Sequence, residues 1–311
     1  MARTSAKIET LTEAEGAAAA PLVAFKGFDK DLKCRDHAFE VGKTYSVAGK
    51  IVACSNGFHS CENPFDVWSY YGPCDARFAV VEASGAISRH NEDSKIASAA
   101  ITIKAELTLP QFISRAVDWI MNLTKDAADT PSGNYAQIGS SGYSAKIGSS
   151  GYSAKIGSSG DYAKIGSSGN SAQIGSSGYY AQIGSSGDSA QIGSSGDSAQ
   201  IGSSGNSAKI GSSGNSAQIG SSGYSAQIGS SGDSAKIGSS GDYAKIDASG
   251  GKAVIVSAGA ATRVKAKAGA WISLAEFVSG ECVGFATGRA GYDGVPTDAW
   301  IVARGGKLVA E

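Results

Sequence analysis

At 311 residues, with 27 Lys and Arg against 28 Asp and Glu, the chain carries a formal charge of −1. That balance gives no general attraction to nucleic acid or to anionic membranes, so neither is expected as a partner, and the length leaves room for roughly two or three domains. Five cysteines (Cys34, Cys54, Cys61, Cys74 and Cys282) form an odd count behind a polar, acidic start without a signal sequence, which points to reduced thiols in a cytoplasm. No apolar run reaches the ~18 residues of a membrane helix.

Residues 1–20 read as a loose leader with a short helix over Glu9–Ala19. Residues 21–125 have ordinary globular composition and read as a small α+β domain. Strands are predicted at LVAF (22–25), EVGKTYSV (40–47), RFAVVEA (77–83) and AITIKAEL (100–107). Helices are predicted at Pro64–Tyr71, started by Asn63 and Pro64, and at Pro110–Leu123, where Phe112, Ala116, Trp119, Ile120 and Leu123 share a stripe. DAADTPSG (126–133) forms a joint.

From Asn134 to about Asp247 the chain repeats a nonapeptide, x-(S/Y)-A-(K/Q)-I-G-S-S-G, thirteen times. One nonapeptide cannot bury its own apolar face, so a short fixed period held over this span predicts stacked coils. Strand alternation puts Ala190 and Ile192 on one face and Ser189 and Gln191 on the other; the first pair is expected inward, the second in solvent. Gly-Ser-Ser-Gly is expected to form the corner, glycine supplying a positive φ. Two units then close one coil, and coils spaced roughly 4.8 Å apart give a rod on the order of 30 Å long. A flexible Gly/Ser linker has no reason to hold Ile at every ninth position. A calcium-binding roll of the same period needs Asp where this chain has Ala, as at Ala190.

The repeat fades through Ile255 and Val264, so the solenoid is placed at 134–264. Residues 265–311, with Trp271, Phe277, Phe285, Tyr292 and Trp300, read as a non-repeating β cap that closes the core. The fold class expected is mainly β: a small α+β domain, a β-solenoid with two repeats per coil, and a C-terminal cap.

The segments FKGFDKDLKCRDHAFEVGKTY, CSNGFHSCENPFDVWSYY, RFAVVEASG and SKIASAAITI resemble a domain of unknown function common in tailed-phage and prophage proteins. That domain often precedes tracts of the same Ala-x-Ile-Gly-Ser-Ser-Gly kind. The resemblance spans residues 22–125 and, with the tract, most of the chain. It implies a phage or prophage origin, expression in the host bacterial cytoplasm, and action on the host or its defences; it implies no particular chemistry. The S-x-A-I-G cadence also resembles, weakly, the longer repeats of secreted trimeric-adhesin heads, which leaves a structural or adhesin-type phage protein as one alternative.

The order of an AFKG strand, a G-F-x-S element with a helix behind it, and a strand carrying Glu resembles ADP-ribosyltransferases loosely. That resemblance implies Glu82 as catalytic acid and sets Lys26 where the family has Arg or His, a departure that puts NAD binding in doubt. The alternative is that Phe58, Trp68 and Tyr70 are core and Glu82 a solvated strand residue. Cys34, His37, Cys54, His59 and Cys61 are zinc-ligand types, but C-x2-H and C-x4-H-x-C do not make a standard paired knuckle. No metal and no cofactor are expected. Tyr135, Tyr143, Tyr152, Tyr162, Tyr179 and Tyr180 concentrate in the first six repeats and suit a binding face, since Tyr offers large contact area at low entropy cost. The function expected is non-enzymatic binding of a host bacterial protein, with homo-oligomerisation left open.

Overall fold

The computed structural model describes residues 8–10, 20–35, 37–74, 76–90, 93–109, 111–113, 115–116, 119 and 133–311. The chain divides into two compact units, Met1–Phe112 and Ile113–Glu311. Among the described residues no helix is long and apolar enough to cross a membrane.

The first unit holds β1 (Ile8–Thr10), β2 (Leu22–Phe28), β3 (Lys33–Cys34), β4 (His37–Ala38), β5 (Thr44–Val47), β6 (Phe58–Cys61), α1 (Pro64–Val67), β7 (Arg77–Arg89) and β8 (Lys95–Leu107). Six strands form one sheet in the order β1-β5-β8-β6-β2-β7, and β7 pairs back onto β8, so β8, β6, β2 and β7 close a ring. Inside lie Ala24, Phe28, Phe58, Val81, Ile101 and Ile103. On the other side of β2, Phe25 meets Phe112 edge-on, and Phe112 stacks on Phe78. Asn63 caps α1 by accepting the Phe65 amide with its side chain, as its place before Pro64 suggests. Two expectations change here. In place of a helix beginning at Glu9, residues 8–10 form a strand against β5, and the rest of that stretch lies outside the described residues. Most of the helix expected over Pro110–Leu123 also lies outside them, though 111–113 are helical and Phe112 and Ile113 are buried.

In the second unit a four-residue strand recurs every nine residues, from β9 (Gln137–Ser140) to β23 (Arg263–Ala266). Each strand pairs in parallel, in register, with the one eighteen residues on, as Lys146 with Lys164 and Ile147 with Ile165. Odd- and even-numbered strands therefore build two separate sheets, and one coil holds two repeats, as expected. Parallel pairing runs on to β24 (Trp271–Val278), where Val254 pairs with Trp271 and Ser257 with Leu274. This passes the boundary read at 264, because the spacing drops to eight residues and Leu replaces the repeat's serine. The solenoid makes about 8 turns over residues 137–274. Antiparallel strands end both sheets: β25 (Glu281–Arg289) on β24, and β26 (Ile301–Arg304) with β27 (Lys307–Ala310) beside β23.

The core has three inward columns on each sheet: Ala, Ile and the first Ser of each repeat, such as Ala190, Ile192 and Ser194, all fully buried. From Ser158 to Ser239 these serine hydroxyls, Ser194 Oγ among them, have no hydrogen-bond partner among the described residues. The expected corner is corrected. Positive φ falls on the second residue of the repeat, for example Ser189 (57°) and Tyr180 (55°), and not on its glycines. The closing glycine is required for a steric reason: a Cβ on Gly187 would sit 2.1 Å from the Gly169 carbonyl oxygen one coil below. The opening position also does more than decorate a surface. Asn or Asp there accepts the amide of the next coil, as Asp188 Oδ1 does from Asn206 at 2.7 Å and Asn170 Oδ1 from Asp188 at 3.0 Å. Lys and Gln were expected in solvent throughout. That holds on the even sheet, where Gln182, Gln200 and Gln218 are exposed, but on the odd sheet Gln173 and Gln191 are buried. There burial also lowers the Lys209 ammonium below the ordinary lysine range.

Candidate functional site

The first unit contains a recess of about 380 Å³ lined by residues from β2, β3, β6, the turn after α1, and the start of β8. Lys26 is its deepest cation. On β2 it shares the inner face with Ala24 and Phe28, and it is only 5% exposed. Its Nζ donates to the His59 carbonyl at 2.8 Å and lies 5.4 Å from the ring centres of Phe28 and Phe39. Burial lowers its pKa, Arg35 adds to that, and Cys34 and Cys61 oppose it. One step along from the antiparallel pair Phe25–Cys61, Ser60 takes the inner face beside Lys26; it is 3% exposed and its Oγ has no hydrogen-bond partner among the described residues.

Tyr71 walls the recess because Gly27 lets it: a Cβ at Gly27 would lie 2.5 Å from the Tyr71 ring. Tyr71 Oη donates to Cys34 Sγ at 3.1 Å. Opposite, Lys95 Nζ donates to Tyr70 Oη at 2.8 Å, and Tyr70 in turn donates to Asp93. Burial, and then that bond to Asp93, push Tyr70 up to about 12. Asp93 thus answers Lys95 through Tyr70. Among the described residues, Lys26 and Arg35 have no ion-pair partner and no Asp or Glu lines the recess.

Four of the five zinc-type residues, Cys34, Cys54, His59 and Cys61, reach the walls of this recess; His37 instead packs edge-on against Phe39 and Tyr45. His59 Nε2 accepts the Cys54 amide at 2.9 Å. Burial, then the charges of Lys26 and Arg35, lower its pKa to about 4, which keeps the ring neutral and the lone pair engaged. Burial pushes the Cys61 thiol up, away from the thiolate that would bind metal or attack. Among the described residues no three His, Cys, Asp or Glu side chains are grouped to hold a metal ion. All five cysteines are free thiols.

Glu82 lies elsewhere. It pairs across strands with Val23, three residues from Lys26, so Glu82 and Lys26 point to opposite faces of the sheet. Its carboxylate forms an ion pair with Lys104 at 3.2 Å, and it does not line the recess.

The six tyrosines divide between the two corners of the coil. Tyr135 and Tyr152 precede odd strands, with ring centres 6.0 Å apart. Tyr143, Tyr162, Tyr179 and Tyr180 precede even strands. Tyr143 and Tyr162 lie 5.3 Å apart, and Tyr162 stacks on Tyr180 at 5.2 Å with rings 10° from parallel. Tyr224 and Tyr243 form a further pair on the first corner. All are exposed, Tyr143 by 73%. Composition alone could not separate the two corners; the eighteen-residue pairing does.

The sequence reading missed Arg35, Ser60, Tyr71 and Lys95 as site residues. No local motif joins them, because strand pairing brings together positions as far apart as Lys26 and Lys95.

Residues 22–115, which include every residue lining the recess, match a family described as a domain of unknown function (DUF7666). No curated protein and no solved structure matches the chain.

Proposed function

We propose that this chain is a non-enzymatic binding protein of phage or prophage origin that acts on a host bacterial protein in the host cytoplasm, with antiphage defence machinery as the target class. One observation carries the binding reading: the exposed ladder of Tyr143, Tyr162, Tyr179 and Tyr180 along one corner of the solenoid. These rings stand on a backbone tied coil to coil by bonds such as Tyr162 N to Tyr179 O at 2.8 Å and Tyr180 N to Asp197 O at 3.0 Å. A rigid aromatic surface of this kind loses little freedom on docking. The phage origin rests on the resemblance of residues 22–125 and the tract behind them. No comparable observation supports a transferase, since Lys26 and Glu82 face apart.

The test expresses the full chain in bacteria carrying different defence systems and challenges them with sensitive phage. Plaque counts should rise in at least one strain and return to baseline when the four tyrosines become serine. The same variant should lose a host protein that the wild type recovers in pull-downs. Unchanged plaques in every strain, with no host protein recovered, would refute the proposal. Loss of effect on Glu82→Gln alone would favour the enzyme.

A further inference from the structure

We propose that the recess walled by Lys26, Arg35, Ser60, Tyr70, Tyr71 and Lys95 binds a small phosphate monoester. Its volume, about 380 Å³, lies in the range of small-ligand pockets. Among the described residues its charge is one-sided: three cations line it, and only Lys95 is answered, through Tyr70, by Asp93. An ammonium as buried as Lys26 is costly to leave without a counter-charge, and an anion entering the recess supplies one.

The second observation is Ser60. A hydroxyl buried to 3% exposure with no acceptor or donor partner among the described residues carries an unmet desolvation penalty. Here it lies in the wall beside Lys26, where a ligand oxygen can satisfy it. Arg35 completes the set with a planar fork of donors suited to oxyanions. Two unanswered cations match a dianion better than a carboxylate, and a tetrahedral phosphate has oxygens enough for Lys26, Arg35 and Ser60 together. Val67 and the rings of Tyr70 and Tyr71, which also line the recess, suit an apolar or aromatic ester group. This site is separate from the tyrosine ladder, so either assignment can fail alone.

The experiment is calorimetry on the full chain in a zwitterionic, phosphate-free buffer at constant ionic strength. Phenyl phosphate is the probe; inorganic phosphate and phenol separate the charge from the ring. Saturable binding is expected for phenyl phosphate, weaker binding for inorganic phosphate, and none for phenol. Arg35→Gln, at an exposed position, and Ser60→Ala, which breaks no bond among the described residues, should each weaken binding about tenfold by removing one contact to the phosphate. The four-tyrosine variant should bind unchanged. Absence of saturable heat with both phosphate probes overturns the assignment, and so does equal binding by wild type, Arg35→Gln and Ser60→Ala.

Discussion

Two glycines three residues apart, Gly202 and Gly205, should respond in opposite ways to the same added methyl group. Neither has a left-handed φ, so backbone conformation does not separate them. At Gly205 a Cβ would stand 2.0 Å from the Gly187 carbonyl oxygen and 2.5 Å from its carbon. An ordinary carbon–oxygen contact is about 3.3 Å, so the corner must open by more than ~1 Å. Three bonds hold that corner: Ser204 N to Ser185 O at 3.0 Å, Asn206 N to Asp188 Oδ1 at 2.7 Å, and Ser189 N to Asn206 O at 2.8 Å. At a net ~1 kcal/mol each, their loss makes Gly205→Ala destabilising by about 3 kcal/mol. At Gly202 nothing lies within 4 Å of the added carbon. Gly202→Ala should therefore be neutral or stabilise the strand by about 0.5–1 kcal/mol, because alanine has less chain freedom to lose. Amide exchange followed by mass spectrometry reads this locally. Peptides spanning residues 185–206 should lose about a hundredfold protection in Gly205→Ala and none in Gly202→Ala. Equal protection in the two variants would mean that the stacked corners are not as close as described.

Three further outcomes follow from the same geometry. Ser194→Ala should raise the melting temperature or leave it unchanged, since the hydroxyl is buried without a partner among the described residues; the chain itself places Ala248 and Ala266 in that column, and a loss above about 1 kcal/mol would reveal a bond to Ser194. Ser198→Gly should stabilise the solenoid by about 0.5–1 kcal/mol in urea unfolding and Ser198→Val should destabilise it, because φ at 198 is 58° and a β-branched residue tolerates that region worst. His59 makes the first unit sensitive to acid. Its folded pKa, about 4, lies below the ordinary 6.5, so between these values the unfolded chain binds the extra proton. Stability from the neutral ring is complete above about 6.5 and is lost as pH falls toward 4, by about 1–2 kcal/mol after allowance for partial exposure. His37, lowered by burial and by Lys26, adds in the same direction. His59→Gln should flatten this pH dependence while keeping an acceptor for the Cys54 amide; an unchanged slope would remove His59 as its source.

The repeat by itself determined the architecture of the second unit. Side chains alternate along a strand, so Ala190, Ile192 and Ser194 must share a face, and nine residues are too few to close a coil around them. The close glycine stacking and the Asn/Asp ladder follow from the same eighteen-residue recurrence, but only once the pairing is known. What the sequence could not supply is whatever depends on neighbours far along the chain. Gln191 and Gln200 sit in the same local sequence, yet one is buried and the other exposed, and the coil places them on different sheets. The six tyrosines read as one set until the coil assigned them to two corners. In the first unit, Glu82 and Lys26 looked like partners by order alone, and strand register sent them to opposite faces. The recess likewise exists only because β2, β6 and β8 pair, which brings Lys26 and Ser60 from one face, and Lys95 from the other, to the same recess. Local periodicity fixes which side of a strand a residue occupies; only the packed chain fixes what that side meets.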